Sequence, residues 1–404
     1  MTTTRTKPAI DQALRLKYVL DGTFRANPDY QLIALDQLPA DQRELFAALS
    51  DNPDNYGVLM PREASGLPLK SACRDTARLF LALPEPATLP AFATTGPGEN
   101  NNQGIAQLVL DGILQLSHHG EMLSGPAAYA AVCAASGHAD ATSGIAQLSR
   151  EALLYAQSLP FTEAGMLSAR LYSYGRLPVT GSWKRRFPHE GAVSRALGVD
   201  PGGKNALRLS AHWKSLPPEP DNDGWLFWQS RTPSTTEPLA ACKLYLSPHP
   251  DYLAPAFEAM VPALEASHAN AFKVGKDLNG VLRSDKMIAY FSRLEQLHAA
   301  ADRILDTLAG CPAQGVPFTC QIETPLVSWG SDPVTETGVP PWLARQSWRL
   351  WITNRLAVSL IAARQQPNPQ GREPWHFALD RLRLEGVNTD TWSPLQNRST
   401  QKEK

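Results

Sequence analysis

This chain has little of what usually announces a function. Its five cysteines (Cys73, Cys133, Cys242, Cys311 and Cys320) are odd in number, widely spaced and free of any C-x-x-C pair. That pattern argues against a disulfide framework or a structural zinc site and fits a reducing cytoplasm. No stretch supplies the ~18 apolar residues of a membrane span, and the opening MTTTRTKPAIDQ has no apolar segment of the signal-peptide kind. Neither sign of charge dominates, with 38 Lys and Arg against 39 Asp and Glu. Bulk attraction to nucleic acid or to an anionic membrane is therefore missing, and any anion site must be local. G-x-G-x-x-G, G-x-x-x-x-G-K-[ST] and G-x-S-x-G are absent, so nucleotide-binding, kinase and α/β-hydrolase readings lack their usual carriers. The expectation is a soluble cytoplasmic protein with no nucleic-acid or membrane partner.

At 404 residues, 43% hydrophobic and 19% charged, the chain is long and apolar enough to fold into two or three domains. Its 34 prolines and 27 glycines cluster. A Pro/Gly/Asn-rich connection runs from Leu83 to Gly104, and Lys214 to Gly224, Thr232 to Pro238, Gly330 to Pro341 and Gln365 to Pro374 read as loops. These breaks suggest a mainly helical N-terminal region over 1–95, a module over 96–160, an α+β domain over 161–396 and a polar, disordered tail over 397–404. Within 96–160, the helical pattern NQGIAQLVLDG precedes ILQLSHHGEMLSG, whose alternation flanks a His-Gly turn. That is the order of a winged-helix module, and equally of a helix and hairpin that cap a core.

Periodicity predicts helices over QALRLKYVLDGTF, DQRELFAALS, SACRDTARLFLALP, SGIAQLSREALLYAQSL, AFEAMVPALEASH, SRLEQLHAAADRILDTLAG and SWRLWITNRLAVSLIAARQQ. It predicts strands over WLFWQSR, ACKLYLSP, VPFTCQI and PLVSWG, and a strand or strand end over SARLYSYGRLPV. Without a regular βαβ rhythm, the fold class is α+β, a mixed or antiparallel sheet flanked by helices.

The densest chemistry lies in Phe272 to Phe291, where Lys273, Lys276, Arg283 and Lys286 sit between two apolar, strand-like segments. Four cations around a turn at Asn279 suit a phosphate. Each also has an ordinary reading: lysines protect exposed strand edges, and Asp285 with Arg283 or Lys286 makes a surface ion pair of little energy. SWKRRFPHE reads as a solvated turn, His118 and His119 as an exposed hairpin tip rather than a metal site, and Trp348, Trp351 and Trp375 as core.

The order KLYLSP, long helix, AFKVGK, VLRSDKMIAYF, helix, GVPFT, LVSWGSDP, SWRLWITNRLAVSLIAA resembles the C-terminal half of the HopA effector family of type III secretion. It also resembles the related lyases of class V lanthipeptide and thioamitide pathways. The residues carrying the likeness are Lys243 to Tyr245, Phe272 and Lys273, Arg283, Asp285 and Tyr290, Val316 and Pro317, and Arg355. It covers about the last 170 residues and departs at Ala271, where the pattern has proline, and at SWGSDP.

The resemblance implies a carbon–oxygen lyase of ribosomal peptide (lanthipeptide-type) biosynthesis. It would remove phosphate from phosphoserine or phosphothreonine in a precursor peptide, with a separate kinase upstream and no cofactor or metal. In that reading Lys273, beside Lys276, is the base. Arg283, Lys286, Lys243 and Arg355 hold the phosphate, and Asp285 orients Arg283. His249, His212 and His268 are the candidates for the acid. A non-catalytic scaffold for the peptide and an effector acting on phosphoproteins are the alternatives.

Overall fold

The structure, a computed structural model, describes residues 16–62, 67–95, 98–134, 143–217, 223–233, 242–333, 346–365 and 373–395. Its compact units are two. The first takes the described residues within Met1–Ala139, Thr335–Gln346 and Arg355–Gly386, the second those within Asp140–Val334, Ser347–Asn354 and Val387–Lys404.

In the first unit, strands β1 (Thr23–Ala26), β2 (Tyr30–Ala34), β3 (Asn55–Pro61), β4 (Lys70–Cys73), β5 (Ala87–Thr88), β6 (Leu114–His118) and β7 (Glu121–Leu123) form two antiparallel sheets. Their orders are β2-β3-β4 and β5-β1-β6-β7. The described part of the stretch expected to be mainly helical over 1–95 thus holds five strands beside helices Ala40–Leu45, Arg74–Ala82 and Ala91–Thr94. The helix expected over QALRLKYVLDGTF is not formed in its described part, where Phe24 enters β1 and Val19, Leu20 and Phe24 join the core with Val109, Leu114 and Phe377. Tertiary burial there outweighs helical periodicity. Because β1 pairs with β6 (Phe24 opposite Leu116), residues 1–95 do not separate from 96–160. Helix Gly98–Leu110 and the β6–β7 hairpin do follow one another, turned by His119 and Gly120 at φ 50° and 85°, the double positive φ of a tight two-residue turn. The tail 397–404 lies outside the described residues, and so do most of the loops expected over 218–222, 234–238, 334–341 and 366–372.

The second unit is built on β8 (Trp213–Leu216), β9 (Trp225–Ser230), β10 (Cys242–Leu246), β11 (Ala271–Gly275), β12 (Met287–Phe291), β13 (Cys320–Ile322) and β14 (Val327–Ser331). They make one antiparallel sheet in the order β13-β14-β10-β12-β11-β9-β8, and β15 (Val387–Asn388) pairs with β16 (Ser393–Pro394). A period of two divides its faces. Leu244, Leu246, Phe272, Val274, Met287, Ala289, Phe291 and Val327 point to one side, where helices Leu253–Ala266 and Leu294–Thr307 cover them with Phe257, Met260, Leu264, Leu297 and Ile304. Trp228 stacks on Phe272 at 4.9 Å and Trp213 meets it edge-on at 4.8 Å. Each such side chain contributes about 1.5–3 kcal/mol through burial. The other face carries Lys243, Tyr245, Ala271, Lys273, Ile288 and Tyr290, because Lys243, Tyr290 and Ala271 lie in one cross-strand row and Tyr245, Ile288 and Lys273 in the next.

Helix Gly144–Ser158 opens where expected, with Ser143 Oγ accepting from Ala146 N at 3.1 Å, the ordinary cap. SARLYSYGRLPV is not a strand. Helix Ala164–Tyr172 buries Leu167, Ser168 and Leu171 on one stripe and is followed by Gly175 at φ 78°, so a period of 3.6 prevails there.

Candidate active site

β11 brings Lys273 onto the polar face. Its ammonium lies 4.4 Å from the centroid of Trp225 and 6.0 Å from that of Tyr290, and it makes no hydrogen bond or ion pair among the described residues. Burial, joined by the charges of Lys243 and Arg283 and opposed by Asp285, lowers its pKa to about 8. An amine that water and carboxylates would keep protonated is thus made available as a base.

Arg283 approaches the same Trp225 ring, its guanidinium 4.9 Å from the centroid. It grips Asp285 in a fork, Nε to Oδ1 at 2.7 Å and Nη2 to Oδ2 at 3.0 Å. Asp285 also accepts from Arg349 Nη1 at 2.7 Å and from the Tyr172 hydroxyl at 3.2 Å. Burial alone would raise the Asp285 pKa, but Arg349 and Arg283 overcome it and hold the carboxyl well below the usual carboxylate range. Arg349 is 1% exposed and spends its remaining contacts on Pro317 O (3.1 Å) and Tyr172 O (2.7 Å).

Its delivery depends on Gly330. A Cβ there would stand 2.5 Å from Trp348 Cδ1, so only glycine lets the indole lie against β14 and donate to Phe318 O at 3.0 Å. That contact fixes the first turn of helix Trp348–Gln365 and aims the next residue, Arg349, at Asp285. Lys243, on β10, pairs with Asp332 and lies 5.5 Å from the Tyr290 centroid.

The structure therefore brings together Lys243, Lys273, Arg283 and Asp285. Lys276 is drawn off beyond β11 by Asp223 (2.8 Å) and Glu190 (3.3 Å), and the Asp223 hydrogen bond raises its pKa. A lysine so paired stays protonated, and the charges that lower the Lys273 pKa are those of Lys243 and Arg283, so Lys276 does not take the catalytic place expected beside Lys273. Lys286 is fully buried and donates to Pro248 O at 2.9 Å and Gln314 Oε1 at 2.6 Å, tying loops together instead of reaching a guest. Burial lowers its pKa to about 7. His249 caps a short turn, Nδ1 accepting from Asp251 N at 3.4 Å, and its ring sits beside Trp183. None of its contacts involves Lys243, Lys273, Arg283 or Asp285. His212 and His268 are exposed. Arg355 belongs to the first unit and pairs there with Glu385. SWKRRF forms the short helix Gly181–Arg186 instead of a turn, with Arg186 paired to Asp251.

Arg349, Tyr172, Trp225 and Asp332 escaped the sequence reading. Arg349 and Arg355 are six residues apart on one helix, about 120° around its axis, so they face different ways and periodicity alone does not say which one meets the sheet. Tyr172 was hidden by assigning its segment to a strand. Among the described residues no group of three His, Cys, Asp or Glu side chains could hold a metal, and no helix is long and apolar enough to cross a membrane.

No family model and no curated protein matches the sequence. Among solved structures, the chain is similar to an effector protein from Pseudomonas syringae pv. tomato strain DC3000 at 11% identity and a TM-score of 0.38, over 63% of this chain and 99% of that one. It is similar to an effector protein from Pseudomonas syringae pv. syringae strain 61 at 14% identity and a TM-score of 0.35, over 63% and 98%. It is also similar to the phosphothreonine lyase effector VirA (SpvC) of Chromobacterium violaceum at 12% identity and a TM-score of 0.25, over 35% and 77%.

Proposed function

We propose that this chain is a lyase that eliminates phosphate from phosphoserine or phosphothreonine in a peptide, leaving a dehydroamino acid. The observation that carries the reading is one indole supporting two partners. The Trp225 ring lies under both Lys273, an unpaired amine with a pKa of about 8, and Arg283, a guanidinium held in place by Asp285. β-Elimination needs a base for the weakly acidic Cα proton and cations for the departing dianion, side by side. Lys243, Arg283 and Arg349 set against Asp285 and Asp332 leave a net positive charge before Lys273 is counted.

In this mechanism the phosphate sits between Arg283 and Lys243. Lys273, as the neutral amine, takes the Cα proton, the C–H pair becomes the Cα=Cβ bond, and the Cβ–O bond breaks with its electrons going to the phosphate oxygen. Asp285 positions Arg283 and does not touch the guest. The finer reading, that the peptide is a ribosomal precursor phosphorylated by a separate kinase, is supported by the element order running from KLYLSP to SWRLWITNR.

Mass spectrometry of a phosphothreonine peptide incubated with the protein tests the proposal. Loss of phosphoric acid is expected. Loss of only the phosphoryl group, with a hydroxyl left behind, would mean hydrolysis, and an unchanged mass would mean a binding protein. Lys273→Ala should abolish turnover while leaving thermal unfolding unchanged.

A further inference from the structure

The geometry points to Tyr245 as the acid that protonates the phosphate oxygen as it leaves. This inference rests on the elimination reading above and supplies the proton donor that it lacks, since His249 is engaged by Asp251 as a cap.

The argument is one of rows. Tyr245 on β10 and Lys273 on β11 flank Ile288 of β12 in a single cross-strand row on the polar face. Two strand spacings separate their backbones by about 10 Å, and both side chains rise on the same side. A Cα–Cβ unit lying over Ile288 would then meet the amine from one edge and the phenol from the other, which is what elimination across that bond requires. Lys243, two residues before Tyr245 on the same face, reaches the phosphate from the phenol's side.

The three tyrosines of the site differ in where they stand relative to Lys273. Tyr172 spends its hydroxyl on Asp285 at 3.2 Å. Tyr290 lies with its ring against Lys243 and Lys273, as a floor, one row away from Lys273, and its hydroxyl too makes no hydrogen bond among the described residues. Tyr245 is 2% exposed, yet its hydroxyl makes no hydrogen bond among the described residues. Burial, reinforced by Asp332, also raises the Tyr245 pKa, so the phenol keeps its proton at neutral pH.

The step balances as follows. Lys273 takes the Cα proton and becomes the ammonium, the Cβ–O bond breaks, and Tyr245 gives its proton to that oxygen, so hydrogen phosphate departs. The phenolate recovers a proton from the Lys273 ammonium through water, and both groups return to their starting states.

The test compares wild type with Tyr245→Phe on two peptides, one bearing phosphothreonine and one bearing S-phosphocysteine, whose thiolate-type leaving group departs without protonation. On phosphothreonine kcat should fall about 100-fold or more, with peptide affinity and melting temperature unchanged. On phosphocysteine the two proteins should agree within about fivefold, because general-acid help there is small. Equal losses on both peptides would make Tyr245 a packing residue and overturn the inference. Retention of phosphothreonine turnover within about threefold would do the same, well short of a general acid's contribution, while leaving the lyase reading standing. If wild type itself releases no phosphate, the lyase reading falls first. Should Tyr245→Phe melt early, 3-fluorotyrosine incorporated at position 245 keeps the shape and acidifies the hydroxyl. It should change kcat on phosphothreonine several-fold and leave phosphocysteine unaffected, and no change on phosphothreonine would overturn the inference.

Discussion

The pH dependence of turnover follows from the surroundings of Lys273. With a folded pKa of about 8, the reactive amine amounts to roughly 3% of the protein at pH 6.5, half at pH 8 and nearly all at pH 9.5, by the usual titration of a general base. The rate constant kcat/KM should therefore rise about 15-fold from pH 6.5 to 8 and only about twofold more by pH 9.5. Starting at pH 6.5 keeps the substrate phosphate mostly dianionic, since its second pKa is about 6. Lys243 is the largest charge depressing Lys273. Lys243→Met removes that repulsion and leaves Asp332 without its partner, so both effects move the limb to higher pH while lowering the plateau. Phosphate release from a phosphothreonine peptide at constant ionic strength reads the profile. A flat profile, or a limb that moves to lower pH in Lys243→Met, would refute Lys273 as the base.

Asp285→Asn strands the buried Arg349 and should destabilise the protein by about 3–5 kcal/mol, measured by urea unfolding. Because the folded pKa of Asp285 is lowered, its contribution is complete above the unfolded value of about 3.9 and fades as pH falls further, so the variant should lose that part of the acid sensitivity. Lys286 has a folded pKa of about 7, below its ordinary 10.5. Between those values the unfolded chain binds the extra proton and wild-type stability climbs with pH by up to about 1.4 kcal/mol per unit; Lys286→Met should flatten that climb, and an unchanged slope would contradict it. Gly330→Ala drives a methyl to 2.5 Å from Trp348 Cδ1, so a loss of about 1–3 kcal/mol is expected. Weaker phosphopeptide binding should accompany it as Arg349 moves away from Asp285, readable by calorimetry.

How much of the site was legible depended on whether its signal was local. Lys273, Arg283 and Asp285 lie within thirteen residues on one strand–turn–strand unit, so period-two alternation was enough to bring them near each other. Lys276 and Lys286 share that segment and look equivalent in the sequence. Asp223 and Glu190 claim the first, and full burial claims the second. The choice between Arg349 and Arg355 turned on a tryptophan seated over a glycine eighteen residues earlier, a contact that leaves no periodic trace.

The sequence alone determined the α+β class, most strands of the second unit, its helices Gly144–Ser158, Leu253–Ala266 and Leu294–Thr307, and the segment where its cations gather, because alternation and capping are written into neighbouring residues. Tertiary structure decided which cations are free and which are spent, and it placed Tyr172, Trp225 and Arg349 around Asp285. It also paired β1 with β6, where the sequence had suggested a separate helical region. The physical reason is the same throughout. Charge state and hydrogen-bond partnership depend on burial and on side chains brought from distant parts of the chain, and those are properties of packing, not of local pattern.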